Sequence, residues 1–466
     1  MKEEVIYFLG IGGIGMSNLA RYYLSKGYEV AGYDRTETVL TKTLVSEGAV
    51  IHYDDDVRMI PKQFLDKTKT KVIYTPAIPA SHSELNYFKA EGFEMMKRAQ
   101  VLGEITKSSD ALCVSGTHGK TTVSSMIAHL LHDSKVGCNA FLGGILKNYN
   151  TNLLLSDKSN LTVVEADEYD RSFHWLRPWI AVITSADPDH LDIYGTAEAY
   201  RESFEHFTSL IRNDGVLIMK KDAPVTPQLK EGVKLYTYSE SEGDFHAENI
   251  RIGNGEIVFD FVGLDAKIKD ISLGVPVRIN IENAVAAIAV ALLSGADEDE
   301  IREATSTYGG AKRRFDFIIK DKDIVFIDDY AHHPRELKAS IESIKLLYAD
   351  KKVTGVFQPH LFSRTRDFMN EFAESLSLLD ELILLDIYPA REEPIPGVTS
   401  QQIFDMVSIE NKILIPKENL IDKLGNMEPE VLVTFGAGDI DKLLPGIEKM
   451  LRNKYSSFDL STNGTN

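Results

Sequence analysis

Residues 116–122 combine glycines, a lysine and threonines in a pattern that could hold a polyphosphate. They follow a predicted apolar strand at 111–115 and precede a helix whose apolar residues recur on one face. In such a turn, backbone N–H groups and the open helix end face the anion. Lys120 would lie along the β- and γ-phosphates, and the Thr121 hydroxyl could ligate Mg²⁺. The competing interpretation is a tight turn with an incidental lysine, and both flanking elements argue against it. Two residues separate the glycines here, whereas the common kinase and GTPase loop has four.

A second glycine-rich turn lies near the N-terminus, where Gly10, Gly12 and Gly15 follow a predicted strand and open a helix. Asp34 ends the next strand, which completes a pattern typical of NAD or NADP binding. By itself the glycine motif indicates only that the backbone must approach another group closely, and it does not identify that group. Because a predicted ATP loop follows it in the chain, we expect this first fold to bind the nucleotide part of a substrate.

Acidic side chains cluster after two predicted strands of the central region, at residues 161–164 and 180–184. These side chains are Glu165, Asp167, Glu168 and Asp170 after the first strand, and Asp187, Asp189, His190 and Asp192 after the second. Ligands of open α/β sheets bind outside the carboxyl ends of the strands, and divalent cations prefer oxygen ligands beside ATP phosphates. A single acid is more often a helix cap or a solvated charge. Two such clusters behind a phosphate loop favour metal ligation.

The C-terminal region repeats a strand, a polar turn and an amphipathic helix four times, which predicts a parallel sheet covered by helices. Its polar turns lie at residues 328–334, 358–366 and 436–439, all at the same predicted edge of the sheet. Each turn could be helix capping plus surface charge. Their shared edge makes a binding site for a small substrate the better hypothesis.

The elements that position these residues predict an α/β protein of 466 residues with two to four domains. With 51 Lys and Arg against 70 Asp and Glu, the net charge of −19 argues against binding nucleic acid or anionic membranes. Cys113 and Cys138 cannot form a disulfide framework. Since no apolar signal region or membrane span is evident, we expect a soluble, cytoplasmic protein, either a monomer or a homodimer.

These motifs, taken in order, resemble those of the Mur ligase family, which builds the peptide of bacterial cell-wall precursors. The resemblance covers nearly the whole chain. The motifs are GIGGIGMS at 10–17, GTHGKTT at 116–122, EADEYDRSF at 165–173, DHLDIYG at 189–195, NIENA at 280–284, RRFD at 313–316, DDYAHHP at 328–334, FQPHLFSRTRD at 357–367, YPAREEPIPG at 388–397 and TFGAGD at 434–439. The pattern is most similar to that of family members that join L-alanine to UDP-N-acetylmuramate.

The resemblance implies three domains: a Rossmann-like UDP-sugar domain at 1–108, a central ATPase at 109–314 and a Rossmann-like amino-acid domain at 315–455. We expect residues 456–466 to form a disordered tail. ATP and Mg²⁺ are the implied cofactors, and the implied products are an amide, ADP and phosphate. The reaction would proceed through an acyl-phosphate, because a carboxylate must first gain a leaving group.

The resemblance also assigns individual residues. The implied UDP-sugar contacts are Gly12, Gly13, Gly15, Met16, Ser17 and Asp34. ATP would be held by Gly116, Thr117, His118, Gly119, Lys120, Thr121, Thr122, Asn283, Arg314 and Asp329. Mg²⁺ would be ligated by Thr121, Glu165 and His190, and alanine placed by Tyr330, His332, His360 and Arg364. Lys120 and Arg314 would stabilise phosphoryl charge, and His332 is a candidate general base, although a nearby phosphate or carboxylate could serve instead. Relatives often carry a basic residue where this chain has Leu361.

Three alternatives remain open from the sequence. A sister ligase that reattaches recycled tripeptide to the same UDP-sugar would share the ATP chemistry. A nicotinamide-dependent oxidoreductase would use the N-terminal glycines and Asp34. A non-catalytic ATP switch would hydrolyse ATP without a carboxylate acceptor.

Overall fold

The computed structural model describes residues 3–253, 255–390 and 392–461, and it describes the side chains of these except at 191–192 and 456–461. The chain divides into two compact units. The first comprises Met1–Glu248, Asp260–Lys269 and Glu282–Tyr308, and the second comprises Asn249–Phe259, Asp270–Ile281 and Gly309–Asn466. Among the helices of these described stretches, none is both long and apolar enough to cross a membrane.

The N-terminal sheet belongs to the first unit and has five parallel strands in the order β3-β2-β1-β4-β5. The strands are β1 (Val5–Leu9), β2 (Glu29–Tyr33), β3 (Val50–His52), β4 (Thr70–Tyr74) and β5 (Glu94–Lys97), and the helices are α1 (Ile14–Ser25), α2 (Val39–Ser46), α3 (Ser83–Glu91) and α4 (Arg98–Lys107). Every residue of β1 is buried, because helices cover both faces of such a sheet. The glycine turn at 10–13 therefore opens at the carboxyl end of the innermost strand.

The central sheet has ten strands in the order β15-β14-β13-β12-β11-β10-β6-β9-β7-β8. They are β6 (Asp110–Ser115), β7 (Asn139–Leu146), β8 (Thr151–Leu154), β9 (Leu161–Glu165), β10 (Ile180–Ile183), β11 (Val216–Lys220), β12 (Lys234–Tyr238), β13 (Phe245–Gly253), β14 (Glu256–Gly263) and β15 (Ala266–Ser272). Its helices are α5 (Lys120–His132), α6 (Leu191–Tyr194), α7 (Ala197–Ser209), α8 (Ile279–Leu293) and α9 (Glu298–Thr307). Because β6 pairs in parallel with both β9 and β10, the phosphate loop and the two acidic strand ends lie at one edge, as predicted.

The C-terminal sheet belongs to the second unit and has six strands in the order β16-β17-β21-β18-β19-β20. They are β16 (Asp316–Lys320), β17 (Val325–Asp329), β18 (Val353–Phe357), β19 (Glu381–Leu384), β20 (Lys412–Leu414) and β21 (Val431–Phe435). Its helices are α10 (Pro334–Leu347), α11 (Phe362–Asp367), α12 (Met369–Leu376), α13 (Ser400–Met406), α14 (Leu420–Gly425) and α15 (Leu444–Ser461). The four predicted strands are confirmed as β17, β18, β19 and β21.

The sequence did not predict the two edge strands. β16 pairs antiparallel with β17, so it lies outside the repeated strand–helix pattern, and β20 is a half-buried strand of three residues. Helix α15 runs through Ser461 and so covers the first part of the predicted tail. Residues 462–466 lie outside the described residues, and for them disorder stays a prediction, as do the three domain boundaries.

A buried hydrogen-bonded cluster lies beneath the N-terminal sheet. The Tyr7 hydroxyl donates to Glu84 Oε2 at 2.7 Å, and Glu84 Oε1 lies 3.2 Å from His52 Nε2. His52 Nδ1 lies 2.9 Å from the carbonyl oxygen of Asp54, so Nδ1 carries the proton and Nε2 is left as an acceptor. Burial raises the pKa of Glu84 to about 7. The Tyr7 hydroxyl also lies 2.8 Å from His52 Nε2, so it contacts both ionisable side chains of the cluster.

We predict that Glu84→Gln makes the protein more stable than the wild type at alkaline pH. The pKa of Glu84 is raised in the folded state, so its stabilising contribution is present at acidic pH and is lost as pH rises from about 4.5 to 7. Gln supplies the same donor and acceptor without ionising. Urea denaturation should show a gain in the free energy of unfolding that grows by about 3 kcal/mol between pH 4 and pH 8. A gain independent of pH would contradict the assignment.

Candidate active site

The phosphate loop has a backbone that only glycine fits at its first position. Gly116 has φ +144°, and a Cβ atom there would lie 2.0 Å from Thr184 Oγ1 at the end of β10. Gly119 has φ +82° and caps α5 at its N-terminus. The Thr184 hydroxyl donates to the carbonyl oxygen of Ser115 at 3.2 Å. The neighbouring strand end thus fixes the loop where it enters the helix.

Two polar groups of the loop are engaged within the protein. The Thr117 hydroxyl donates to the carbonyl oxygen of Asp187 at 2.7 Å, and the backbone N–H of His118 donates to Ser185 Oγ at 2.9 Å. Thr122 lies in the first turn of α5. The loop is therefore tied to the acidic strand end after β10.

Lys120 is held by a buried carboxylate. Its Nζ donates to the Gly116 carbonyl oxygen at 2.6 Å and to Glu168 Oε1 at 2.9 Å. The side chain of Glu168 is 2% exposed and that of Lys120 is 14% exposed. Burial raises the pKa of Glu168, and the Lys120 ammonium opposes that rise. The ion pair keeps the Lys120 ammonium on the loop. There a phosphate oxygen could replace the Gly116 carbonyl oxygen or the Glu168 carboxylate as the acceptor of its hydrogen bonds.

Two of the three predicted metal ligands lie together. Thr121 Oγ1 donates to Glu165 Oε1 at 3.1 Å, and Glu165 Oε2 accepts from the Gly143 N–H at 3.1 Å. His190 lies instead beside Glu168, with Nε2 3.8 Å from Oε1. Within the described residues, no three His, Cys, Asp or Glu side chains form a metal-binding group. A hydroxyl and one carboxylate still fit Mg²⁺, which keeps several waters and takes substrate phosphates as ligands.

Asn283, the residue predicted to contact adenine, lies against the phosphate loop. It is 7% exposed, and its Oδ1 would be 3.1 Å from a Cβ atom placed on Gly119. The adenine contact itself stays a prediction.

A cavity of about 810 Å³ begins at the N-terminal glycine turn. Its walls include Gly12, Gly13, Gly15, Met16 and Asp34 from the predicted sugar-nucleotide set, and also Glu165. The carboxylate of Asp34 accepts from the Gly12 N–H at 2.7 Å, so it stabilises the turn directly. Ser17 is buried and donates to the Ile14 carbonyl oxygen at 3.0 Å, and it is not part of the cavity wall.

The wall of this cavity also contains Arg98 and His82, which sequence reasoning missed, and Asp167, which it grouped with the candidate metal ligands and not with the sugar-nucleotide site. The available signal was the basic pair Lys97-Arg98 at the carboxyl end of β5, the edge where ligands bind. The cavity wall thus runs from the glycine turn to Glu165, whose carboxylate lies beside Thr121 of the phosphate loop.

The second unit brings together the four residues predicted to place the amino acid. The His332 ring centroid lies 5.1 Å from that of Tyr330 and 6.2 Å from that of His360. Arg364 Nη1 lies 3.3 Å from His360 Nδ1. The cluster places a guanidinium next to two imidazoles and a phenol, a combination that suits a small zwitterion.

His332 has a defined tautomer. Its Nδ1 lies 3.0 Å from the Tyr330 carbonyl oxygen and 3.4 Å from Glu336 Oε2. A carbonyl oxygen accepts hydrogen bonds and does not donate them, and the same holds for the oxygens of an ionised Glu336 carboxylate. Nδ1 therefore carries the proton, and the lone pair of the neutral ring lies on Nε2. Burial lowers the pKa of His332, Arg364 lowers it further, and Glu336 opposes the shift.

Arg314 and Asp329 lie next to this cluster in the second unit. The Arg314 guanidinium lies 5.3 Å from the Tyr330 ring centroid, and Asp329 Oδ1 accepts from the Phe315 N–H at 3.3 Å. Burial raises the pKa of Asp329 to about 6. Their predicted roles at the ATP phosphates involve both units and stay predictions.

Leu361 has a strained backbone and lies directly after His360, a member of the amino-acid cluster formed by Tyr330, His332, His360 and Arg364. Its φ is +72° and its ψ is 135°, a conformation that costs an ordinary residue about 1–3 kcal/mol. Its N–H donates to the Tyr388 carbonyl oxygen at 3.0 Å, and α11 begins directly after it. Because Leu361 offers no charge, Arg364 is the cation of this cluster best placed to meet a carboxylate.

The sequence matches three family descriptions in order along the chain. These are the Mur ligase family catalytic domain at residues 5–109, the Mur ligase middle domain at 114–291 and the Mur ligase glutamate ligase domain at 313–438. Together they cover most of the chain.

Individual relatives match over nearly the full length. The UDP-N-acetylmuramate–L-alanine ligase of Parabacteroides distasonis is 63% identical over 451 residues, which are 97% of this chain and 98% of that protein. A protein of the same name from Phocaeicola vulgatus is 60% identical, over 96% of this chain and 98% of its own length. The crystal structure of a UDP-N-acetylmuramate–alanine ligase from Thermotoga maritima is 26% identical with a TM-score of 0.81, covering 97% of this chain and 99% of that one. The chain therefore belongs to the Mur ligase family and has its three-domain α/β architecture.

Proposed function

We propose that this protein joins the amino group of L-alanine to the carboxylate of UDP-N-acetylmuramate, with ATP converted to ADP and phosphate. The observation that carries the proposal is a cavity whose wall includes both the glycine turn and Glu165, which lies beside Thr121. A sugar nucleotide with its diphosphate at the turn would direct its carboxylate toward the phosphate loop. The names of the two relatives with 60% identity or more support these substrates.

The first step makes the carboxylate an electrophile. A carboxylate oxygen of the sugar attacks the γ-phosphorus of ATP, the bond from that phosphorus to the β–γ bridging oxygen breaks, and ADP leaves. Charge accumulates on the phosphoryl oxygens, and the Lys120 ammonium, which donates to the Gly116 carbonyl oxygen in the free loop, would stabilise that charge. Thr121 and Glu165 would hold Mg²⁺, which neutralises phosphate charge when bound.

The second step forms the amide. The amine of alanine attacks the acyl carbon, the carbon–oxygen bond to phosphate breaks, and inorganic phosphate leaves with its bonding electrons. The amine must also lose a proton. His332 Nε2 carries the lone pair that could accept it, and Arg364 would bind the alanine carboxylate.

The alternatives differ in substrate. A murein peptide ligase from Psychrobacter arcticus has the same fold with a TM-score of 0.67, but at 22% identity this likeness concerns the fold alone. The nicotinamide oxidoreductase and the ATP switch lose support because the Mur ligase family matches cover most of the chain and the relatives with 60% identity or more are named as ligases. The cytoplasmic location and the state of a monomer or homodimer stay predictions.

A coupled phosphate-release assay with a panel of amino acids tests the proposal. We expect phosphate release from ATP only when UDP-N-acetylmuramate and L-alanine are both present. Steady release without them would favour the switch. Turnover with the tripeptide but not with alanine would favour the recycling ligase. Omission of Mg²⁺ should abolish release.

A further inference from the structure

Arg98 lines the cavity and lies against the glycine turn. It is the first residue of α4, and its side chain is 24% exposed and lines the cavity. A Cβ atom placed on Gly15 would fall 2.4 Å from Arg98 Nη1, so the guanidinium packs on the first turn of α1. No acidic residue occupies that turn, and its N-cap residue Gly13 provides no side chain to cap it. The guanidinium and the helix N-terminus thus present positive charge to the same part of the cavity.

The ion pair that holds Arg98 is long. Arg98 Nη2 lies 3.3 Å from Asp167 Oδ2, whereas charge-assisted hydrogen bonds are usually about 2.7–2.9 Å long. The Asp167 side chain is 38% exposed, and partly exposed pairs of this kind contribute little stability. The adjacent pair, Lys97 with Asp170, is shorter at 2.9 Å, and Lys97 is not part of the cavity wall. A stronger anion could therefore displace Asp167 from Arg98.

The cavity wall contains more carboxylates than arginines, so an anionic ligand needs a cationic side chain to offset their repulsion. Four carboxylates line the cavity: Asp34, Asp55, Glu165 and Asp167. The same wall contains two arginines, Arg35 and Arg98, and the guanidinium of Arg98 packs on the glycine turn. A diphosphate bound at the turn without Arg98 would meet mainly negative side chains.

We propose that Arg98 is a substrate-binding residue whose guanidinium leaves Asp167 and binds the diphosphate of the sugar nucleotide. The identity of this ligand rests on the proposed function. An arginine fork matches two phosphate oxygens with parallel hydrogen bonds, which a lysine cannot reproduce. Asp167 competes for the fork in the free protein and loses it when the diphosphate binds.

Calorimetric titration of the full-length protein with UDP and with uridine tests this inference. Arg98→Ala should weaken UDP binding about 10- to 100-fold, because a charge-assisted contact is lost, and should leave uridine binding unchanged. Arg98→Lys should recover part of the loss. Asp167→Asn should bind UDP as tightly as the wild type or more tightly, since it removes the competitor. Lys97→Ala breaks the neighbouring ion pair and should bind UDP normally.

Opposite outcomes would overturn the inference. If Arg98 serves only to hold the loop after β9 in place through its ion pair with Asp167, Asp167→Asn should weaken UDP binding as much as Arg98→Ala does. Equal losses for uridine and UDP in Arg98→Ala would also contradict a diphosphate contact, as would a wild-type protein that does not bind UDP. The titration needs neither ATP nor alanine, so a protein that binds UDP through Arg98 but forms no amide would contradict the proposed function alone.

Discussion

Replacement of Lys120 by alanine is expected to lower kcat for phosphate release about 10³-fold, while binding of the UDP-sugar is retained. Lys120 Nζ lies on the phosphate loop, 2.6 Å from the Gly116 carbonyl oxygen, and is the ammonium that would meet the transferred phosphoryl group. The sugar nucleotide is proposed to bind at the glycine turn of the N-terminal sheet, so its affinity should not depend on Lys120. Stopped-time phosphate assays and titration with UDP-N-acetylmuramate measure the two quantities separately.

The variant leaves Glu168 buried without its ammonium partner, so the loss must be separated from a structural effect. Burial already raises the pKa of Glu168, and without Lys120 this carboxyl should be protonated more readily. The double variant Lys120→Ala/Glu168→Gln removes the buried charge and should remain inactive. Lys135→Ala breaks an exposed ion pair with Asp297 and should keep wild-type turnover. Recovery of activity in the double variant would show that Lys120 serves only to neutralise Glu168.

The sequence predicted those parts of the site that depend on local pattern. A strand, a glycine turn and a helix follow one another within residues 110–132, so the phosphate loop could be placed without tertiary information. Parallel pairing then puts the ends of β6, β9 and β10 at one edge. At that edge Thr121 Oγ1 and Glu165 Oε1, from two residues that the family resemblance implies as Mg²⁺ ligands, lie 3.1 Å apart.

The sequence could not predict which acidic side chain of a cluster pairs with which basic side chain of the site. Glu165 ends β9 and three more acids follow it, and nothing in their order indicates that Glu168 is the buried partner of Lys120 while Asp167 faces Arg98. These pairs join residues 48 and 69 positions apart, so they are set by how elements pack. For the same reason the sequence did not show that the ring of His190 lies near Glu168, and the role of His190 as a Mg²⁺ ligand stays a prediction.

The amino-acid cluster adds a further residue that the sequence did not reveal. Glu336 lies one helical turn after His332, and its carboxylate accepts from the His332 backbone N–H at 3.1 Å. It also lies 3.4 Å from His332 Nδ1. An acid in the first turn of a helix is ordinarily a capping residue, and Glu336 does take part in a capping box with His333. The structure adds that the same carboxylate orients a histidine.

Replacement of His332 by asparagine should lower kcat about 10²- to 10⁴-fold if this histidine accepts the amine proton. The asparagine amide can still donate toward the Tyr330 carbonyl oxygen, so the hydrogen bond made by Nδ1 can be kept while the lone pair of Nε2 is lost. In the wild type, burial lowers the pKa of His332, so the neutral base should persist below the usual pKa of about 6.5. The rate should then fall as pH drops through that lowered pKa.

Glu336→Gln provides the discriminating test of this base. The Glu336 carboxylate opposes the lowering of the His332 pKa, so its neutral replacement should move the acid limb of kcat against pH to lower pH. Gln keeps an acceptor for the His332 N–H, which limits any change in geometry. If a phosphate or substrate carboxylate takes the proton instead, His332→Asn should retain kcat within a few-fold. The acid limb should then stay unmoved in Glu336→Gln, because the titrating group would not be the histidine that Glu336 faces.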